Sequence, residues 1–392
     1  MRAYRNVLGL PGVPGMLLLM LLARVPLTAT GITLTLHVVT DLGRGYGAAG
    51  LVGTATTLGS AIGAPLAGRL IDRYGLRPII ACCGIASAAY WVAAPHLPYQ
   101  ALVAVALPAG MLAVPVGSIA RQALTALVPP EHRRTAFSLD SISLEASFMI
   151  GPTVGVALAT QVSGTAALTG IGISLGLLCL VLCLRNPPIR RENEEIGDRP
   201  PLRGWLSVRL LAILLIGFGV LFCLVGTEVA TLATLRATGA VEWTGAVITA
   251  MCLASALGGV LHGAVRRPLS LPALMILLTV LVIPAGLFGQ PWWLLAIALL
   301  PTNFACAPTL STTVEEVTTL SPAKVRGEAM GLLDSATRLG LAVGGPVAGF
   351  AIDRSTPAMG FVAAGLGGLV IASAGLALRR TAPLQQVAPA EV

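Results

Sequence analysis

The chain has 392 residues, of which 55% are hydrophobic and 11% charged, with a formal net charge of +8. Soluble domains carry roughly 45–50% apolar and about 25% charged residues, so this composition excludes a soluble globular protein and reads as an all-α protein that crosses a membrane many times. The positive charge does not indicate a nucleic-acid partner, because the arginines sit between apolar runs instead of gathering on a polar domain.

Crossing a hydrocarbon core about 30 Å thick takes about 20 apolar residues. Twelve such runs are predicted, at 14–39, 47–69, 78–96, 99–126, 135–160, 164–185, 207–235, 243–265, 268–288, 291–318, 327–352 and 357–379. The first is too long for a signal-peptide core and is expected to remain as a span. Nineteen of the 25 basic residues fall on connections of one side, three on the other and three inside spans. The positive-inside rule then puts both termini and the 186–206 linker in the cytoplasm. That linker, rich in proline and mixed charge, divides the chain into an N-terminal six-helix bundle (1–185) and a C-terminal six-helix bundle with a short tail (207–392). All seven cysteines lie in apolar runs without disulfide or zinc spacing, and His37, His96, His132 and His262 are widely scattered. No metal and no cofactor is therefore expected. The phosphate-binding pattern GxxxxGK[ST] is absent, and the Gly365–Gly368 stretch falls inside the last span, where packing accounts for it.

The two halves of this set repeat each other. AFSLDSISLEASFMIGPTVGV (136–156) returns as MGLLDSATRLGLAVGGPVAGF (330–350), and at an offset of 194 Leu139, Asp140, Ser141, Gly151, Pro152 and Gly155 fall on Leu333, Asp334, Ser335, Gly345, Pro346 and Gly349. Offsets of 193 and 195 align Pro115 and Pro129 with Pro308 and Pro322, and SAIGAPLAG (60–68) with SALGGVLHG (255–263). A solenoid period is far shorter. This is a duplicated six-span half, the arrangement in which two membrane bundles surround a central path.

Between spans 2 and 3 the chain reads Gly68-Arg-Leu-Ile-Asp72-Arg73-Tyr-Gly75-Leu-Arg77. This resembles the signature loop of the major facilitator superfamily, GxLaDrxGrrxxl, and the twelve spans and halved repeat extend the resemblance over the whole chain. The resemblance implies two pseudo-symmetric six-helix bundles that move a solute by alternating access. In that family the loop's acid docks against the start of helix 11 and holds the cytoplasmic gate shut. The same role is implied for Asp72 near Gly327, with Arg73 and Arg77 as ion-pairing neighbours, and a helix N-terminus does favour a carboxylate. The matching loop of the second half, from Gly263 to Pro268, lacks the acid and the second glycine. Span 5 is similar to the family's antiporter signature, a run ending in GPxxGG. Gly151, Pro152 and Gly155 match it, while Val156 and Ser147 stand where glycines are usual. Small residues allow close helix approach and proline bends the span. In span 4 Ala106 occupies the position where many members carry arginine, so Arg121, near the cytoplasmic end, inherits no proton-relay role.

Ionisable side chains cost several kcal/mol at the bilayer centre, so those retained there are candidate functional groups. Arg24 and Glu145 each lie about ten residues, or about 15 Å, into spans 1 and 5. Their matching depth predicts a pair, either a structural bridge or a coupling site in which Glu145 exchanges a proton. Glu228, in the outer half of span 7, and Asp140 are further proton-coupling candidates. Asp140 and Asp334 repeat at equal depth. Arg121 is expected against Asp140, and Arg338 against substrate, a helix carbonyl or Asp334. By the resemblance, spans 1, 4, 7 and 10 line the path and contribute Thr28, His37, Thr302, Asn303 and Thr309, so the path is expected to be mostly apolar.

Together these features resemble the bacterial twelve-helix drug:proton antiporters. They imply a secondary transporter that exports a small amphipathic molecule against protons, working as a monomer among the lipids of a bacterial inner (cytoplasmic) membrane. No nucleophile–base arrangement is evident, so an enzyme is not expected. Proton-coupled uptake by symport, or a receptor or scaffold that kept the fold without transport, stay open as alternatives.

Overall fold

The computed structural model describes residues 2–189, 205–265 and 268–381. The linker from 190 to 204 and the pair Arg266 and Arg267, both used in the charge count, lie outside these residues. Within them, twelve helices cross the membrane: α1 (Val13–Asp41), α2 (Tyr46–Tyr74), α3 (Leu76–His96), α4 (Tyr99–Leu127), α5 (Pro130–Gln161), α6 (Gly164–Arg185), α7 (Val208–Ala237), α8 (Val241–Ala264), α9 (Leu271–Phe288), α10 (Trp292–Leu320), α11 (Arg326–Asp353) and α12 (Pro357–Thr381). In a bilayer core only internally hydrogen-bonded segments are tolerated, which makes a long apolar run a helix. Ten of the twelve are long and apolar enough to cross on composition alone. The other two, α2 and α11, pack against each other; α2 carries its charges toward its end, at Arg69, Asp72 and Arg73, and α11 carries Asp334 and Arg338 in its interior as well as charges at its ends.

Two expected spans are not continuous. α4 breaks between Leu112 and Pro115 and α10 at Ala305. Proline has no N–H and collides with the preceding turn. Pro108 and Pro115 interrupt α4, Pro301 and Pro308 interrupt α10, and Pro115 and Pro308 are partners in the sequence repeat. α9 likewise tightens to a 3₁₀ turn over Ile283–Phe288.

Helices α1–α6 form one bundle, in which α1 packs on α5, α2 on α4 and α3 on α6; α7–α12 form the other, in which α7 packs on α11 and α12 and α8 on α10. The bundles meet along two seams, α2 against α11 and α5 against α8. With twelve crossings both ends of the chain lie on one face, termed here the terminal face. Along α2–α11 the backbones touch near that face: a Cβ on Gly68 would lie 2.2 Å from the Gly327 carbonyl oxygen, and one on Gly331 2.4 Å from that of Ala64. Further along the same stripe, Gly50 and Gly349 have nothing within 4 Å of an added Cβ. The other seam behaves alike, with Gly259 3.3 Å from Ile142 and Gly245 open. The bundles are therefore joined at the terminal face and splayed at the far face.

A short helix, Arg2–Leu8, was not anticipated from the sequence. It crosses from the first bundle to the second, where the Tyr4 hydroxyl donates to the carbonyls of Val260 (2.6 Å) and Gly259 (3.1 Å). Burial pushes the Tyr4 hydroxyl up to about 12, which keeps it a donor at any physiological pH. A buried cluster that includes Val7, Phe137, Trp205, Val317 and Met330 continues this closure across both bundles.

Within the second bundle, Gly340 lies against α7 so closely that a Cβ would sit 2.1 Å from the Phe218 carbonyl oxygen. Gly340→Val is expected to cost about 1–3 kcal/mol through overpacking and to lower the unfolding temperature measured in detergent. Gly349→Val, with open space around it, should leave that temperature unchanged.

Candidate functional site

The closed end is built from polar groups that cross the seams. Asp72, at the end of α2, accepts from the backbone N–H of Gly327 (3.1 Å) and of Glu328 (2.9 Å), in the first turn of α11. These N–H groups have no partner within their own helix, and the helix dipole adds to their attraction for a carboxylate. Gly75 makes the geometry possible: at φ 84° it turns α2 directly into α3, a conformation open to glycine. Arg73 and Arg77 take partners other than Asp72. Arg77 Nε donates to the Cys183 carbonyl (3.0 Å), tying α3 to α6, and the Arg73 guanidinium lies 5.1 Å over the Tyr74 ring. On the second seam Thr135 Oγ1 donates to Gly263 O (2.8 Å), and Arg134 donates to Val265 O.

The interior charges pair differently from the expectation based on depth. Arg24 is bonded to Asp140, with Nη2 at 2.8 Å from Oδ1 and Nη1 donating to the Asp140 carbonyl at 3.0 Å. Arg121 reaches across the bundles to Asp334 (2.8 Å). Neither Arg24–Glu145 nor Arg121–Asp140 forms, and Arg338 leaves Asp334 to Arg121. The reason is rotational. Glu145 is five residues past Asp140, about 140° further around the helix, so the two acids of α5 face different neighbours. The stripe containing Asp140 also carries Ser147, Gly151 and Gly155 and faces α1: Thr28 Oγ1 donates to Ser147 O (2.7 Å), and Cβ atoms on Gly151 and Gly155 would strike Thr28 and Thr33. Pro152 of the same motif faces a cavity instead.

That cavity, about 400 Å³, lies between α5, α7, α8, α10 and α11. Glu145 enters it from the first bundle and Glu228 from the second, and these are the charged side chains of its lining. The rest is largely apolar, with Phe148, Met149, Leu224, Ile248 and Met251 among the walls and Asn303, Thr153 and Thr249 as polar groups. Of the path candidates only Asn303 lines it. Thr28 is spent on the α1–α5 contact, Thr302 Oγ1 donates to Leu278 O (2.5 Å), and Thr309 is fully buried against its own helix. His37 is also buried, its Nδ1 2.7 Å from Asp41 Oδ2.

One residue escaped the sequence reading. Ser255 of α8 donates to Glu145 Oε1 at 2.6 Å, joining the bundles at the floor of the cavity. Its only signal in the sequence was membership of the SALGG repeat block, where it reads as a small packing residue. Among the described residues no three His, Cys, Asp or Glu side chains group in a way that would hold a metal ion.

A sequence model described as the Major Facilitator Superfamily matches residues 16–265. The chain belongs to the major facilitator superfamily. Solved members share its fold. The human organic anion transporter MFSD10 (TETRAN) superposes with a TM-score of 0.73 at 20% identity, over 95% of this chain and 99% of that one. The MFS proton:xylose symporter XylE, bound to 6-bromo-6-deoxy-D-glucose, gives 0.71 at 13% identity, over 94% and 96%. This superfamily chain is thus a membrane transporter by family, with its bundles joined at the terminal face.

Hydrogen bonds to a charged acceptor contribute about 1.5–3 kcal/mol each. Asp72→Asn is therefore expected to loosen the closed end about tenfold or more. The readout, with the seven native cysteines replaced, is faster thiol labelling of a Val314→Cys reporter, a position 5% exposed in the buried cluster that spans both bundles, compared with the same reporter carrying Asp72.

Proposed function

We propose that this chain exports a small amphipathic cation in exchange for protons. The observation that carries the reading is the pair of carboxylates, Glu145 and Glu228, brought from opposite bundles into one cavity whose lining, among the described residues, holds no basic side chain. An ionisable group retained inside a membrane protein is a functional candidate because of what its burial costs. Here two acids share a mostly apolar space, and a cation and a proton neutralise the same carboxylate, so binding of one opposes binding of the other. That competition is the chemical requirement for exchange.

The lining also bears on the substrate. An organic anion would meet two carboxylates and no arginine or lysine. A sugar would find few partners for its hydroxyls among Thr153, Thr249 and Asn303. Phe148, Met149 and Met251 instead offer adaptable apolar and polarisable surface. The concentration of arginine on the terminal side supports a cytoplasmic placement of that face; the splayed side would then face outward, where an exporter releases its solute and takes up protons.

In proteoliposomes with an imposed pH gradient, a fluorescent lipophilic cation should be moved while a pH dye reports dissipation of the gradient. Glu145→Gln and Glu228→Gln are each expected to cut gradient-driven movement by tenfold or more while the protein still folds. Accumulation in everted vesicles that consumes a proton gradient of the opposite sense would indicate symport. Transport by both variants at the unaltered, gradient-dependent rate would remove proton coupling at these residues.

A further inference from the structure

Ser255 sits where three elements meet. Its hydroxyl donates to Glu145 Oε1 (2.6 Å) on α5, while its oxygen accepts from the backbone N–H of Ala307 (3.2 Å) on α10. Ala307 lies in the first turn after the break in α10, where N–H groups have no partner within the helix. One turn along α8, Gly258 approaches the same break so closely that a Cβ would fall 1.8 Å from the Phe304 carbonyl oxygen. That carbonyl is the one Pro308, lacking an N–H, cannot satisfy. Ser255 is thus held on the second bundle by the backbone of α10, and its single hydrogen is aimed across the seam.

We infer that Ser255 is a positioning residue for proton coupling: it binds the ionised form of Glu145 across the α5–α8 seam, so that protonation of Glu145 releases the two bundles at the terminal face. This rests on the proton-coupled reading of the cavity. The chemistry is directional. An ionised carboxylate only accepts, and it is the stronger acceptor for the single hydrogen of a hydroxyl that Ala307 N–H holds in place; a protonated carboxyl is a poorer acceptor. Opening the terminal face separates α5 from α8 and breaks this bond. The corresponding cross-bundle bond of the α2–α11 seam, from Ser335 Oγ to the Ala61 carbonyl, ends on a neutral backbone group. Ser60, the repeat partner of Ser255, donates back into its own helix at Thr57 O (2.8 Å). Of the two cross-bundle serine contacts, the one from Ser255 ends on a carboxylate.

Other ionisable groups face Glu145: Glu228 from α7, Cys252 from α8 and Cys306 from α10, while Arg24 of α1 is engaged by Asp140. Asp72 and Asp334 also hold the terminal face through charged bonds. The test therefore isolates Ser255. The purified full chain, in nanodiscs, with its seven native cysteines replaced and carrying the Val314→Cys reporter, is titrated with acid while labelling at the terminal face is followed, each rate divided by that of a free thiol at the same pH because the thiolate is the reacting form. With Ser255 present, labelling should rise as pH falls, by roughly five- to tenfold, the difference between a charged and a neutral acceptor. Ser255→Ala should raise labelling at neutral pH and reduce the acid response as far as Glu145→Gln does, Ser255→Thr should restore the response, and Ser255→Ala should add little once Glu145→Gln is in place. A reporter chain without any pH response removes both the proton-coupled reading and this inference. A normal response that Ser255→Ala retains removes the inference alone.

Discussion

A charge placed inside a bilayer has to be answered by an opposite charge or by oriented dipoles, and the partner it finds decides which helices stay together. In this transporter the answers fall into two kinds. Arg24 and Asp140 neutralise each other within the first bundle, and that pair locks α1 to α5 for as long as the bundle exists. Asp72 on the first turn of α11, Arg121 on Asp334 and Glu145 on Ser255 instead cross between bundles. The first kind makes a rigid body, and the second a closure that can be undone. Because every member of the second kind sits toward the terminal face or at the floor of the cavity, the splayed far ends follow from where the charges are answered.

The duplication explains the architecture, and its decay explains the chemistry. Pro115 and Pro308 break α4 and α10 at matching points, and Asp140 and Asp334 keep equal depth, yet one binds inside its bundle and the other across the seam. Glu145 has Leu339 as its counterpart, and Ser255 has Ser60, which serves only its own helix. Two equivalent seams would respond alike to a proton. Losing the acid at Leu339 and keeping Glu145 leaves one seam with an acid that opens onto the cavity, while the charged bonds on the other side, Asp72 to the first turn of α11 and Asp334 to Arg121, lie toward the terminal face.

Much of this was legible in the amino-acid order. Twelve apolar runs and a constant repeat offset pointed to the helices and the halves, and the resemblance of the Gly68–Arg77 loop to the family's signature implied the contact between Asp72 and the start of α11. The two acids of the cavity were also visible, because buried carboxylates stand out in an apolar chain. Partnership was not. Counting residues measures depth along one axis, whereas Arg24 chooses Asp140 over Glu145 by rotation about that axis and by which helix lies alongside. The helix breaks were missed because the apolar runs of spans 4 and 10 continue through Pro108, Pro115, Pro301 and Pro308. Ser255 was missed because a serine among glycines and alanines looks like packing until the opposite bundle is in place, and the path residues Thr28, Thr302 and Thr309 proved to be packing for the converse reason.

The account turns on two rigid bundles that close at one face while open at the other. Spin-label distances measured in one preparation test this most directly, with one pair at Gly50→Cys and Gly349→Cys on the far face and another at Arg69→Cys and Lys324→Cys on the terminal face. The account predicts reciprocal populations: conditions that shorten the far-face distance lengthen the terminal-face distance, with no change between labels placed inside one bundle. Distances that widen together on both faces, or terminal-face distances that never change, would contradict it.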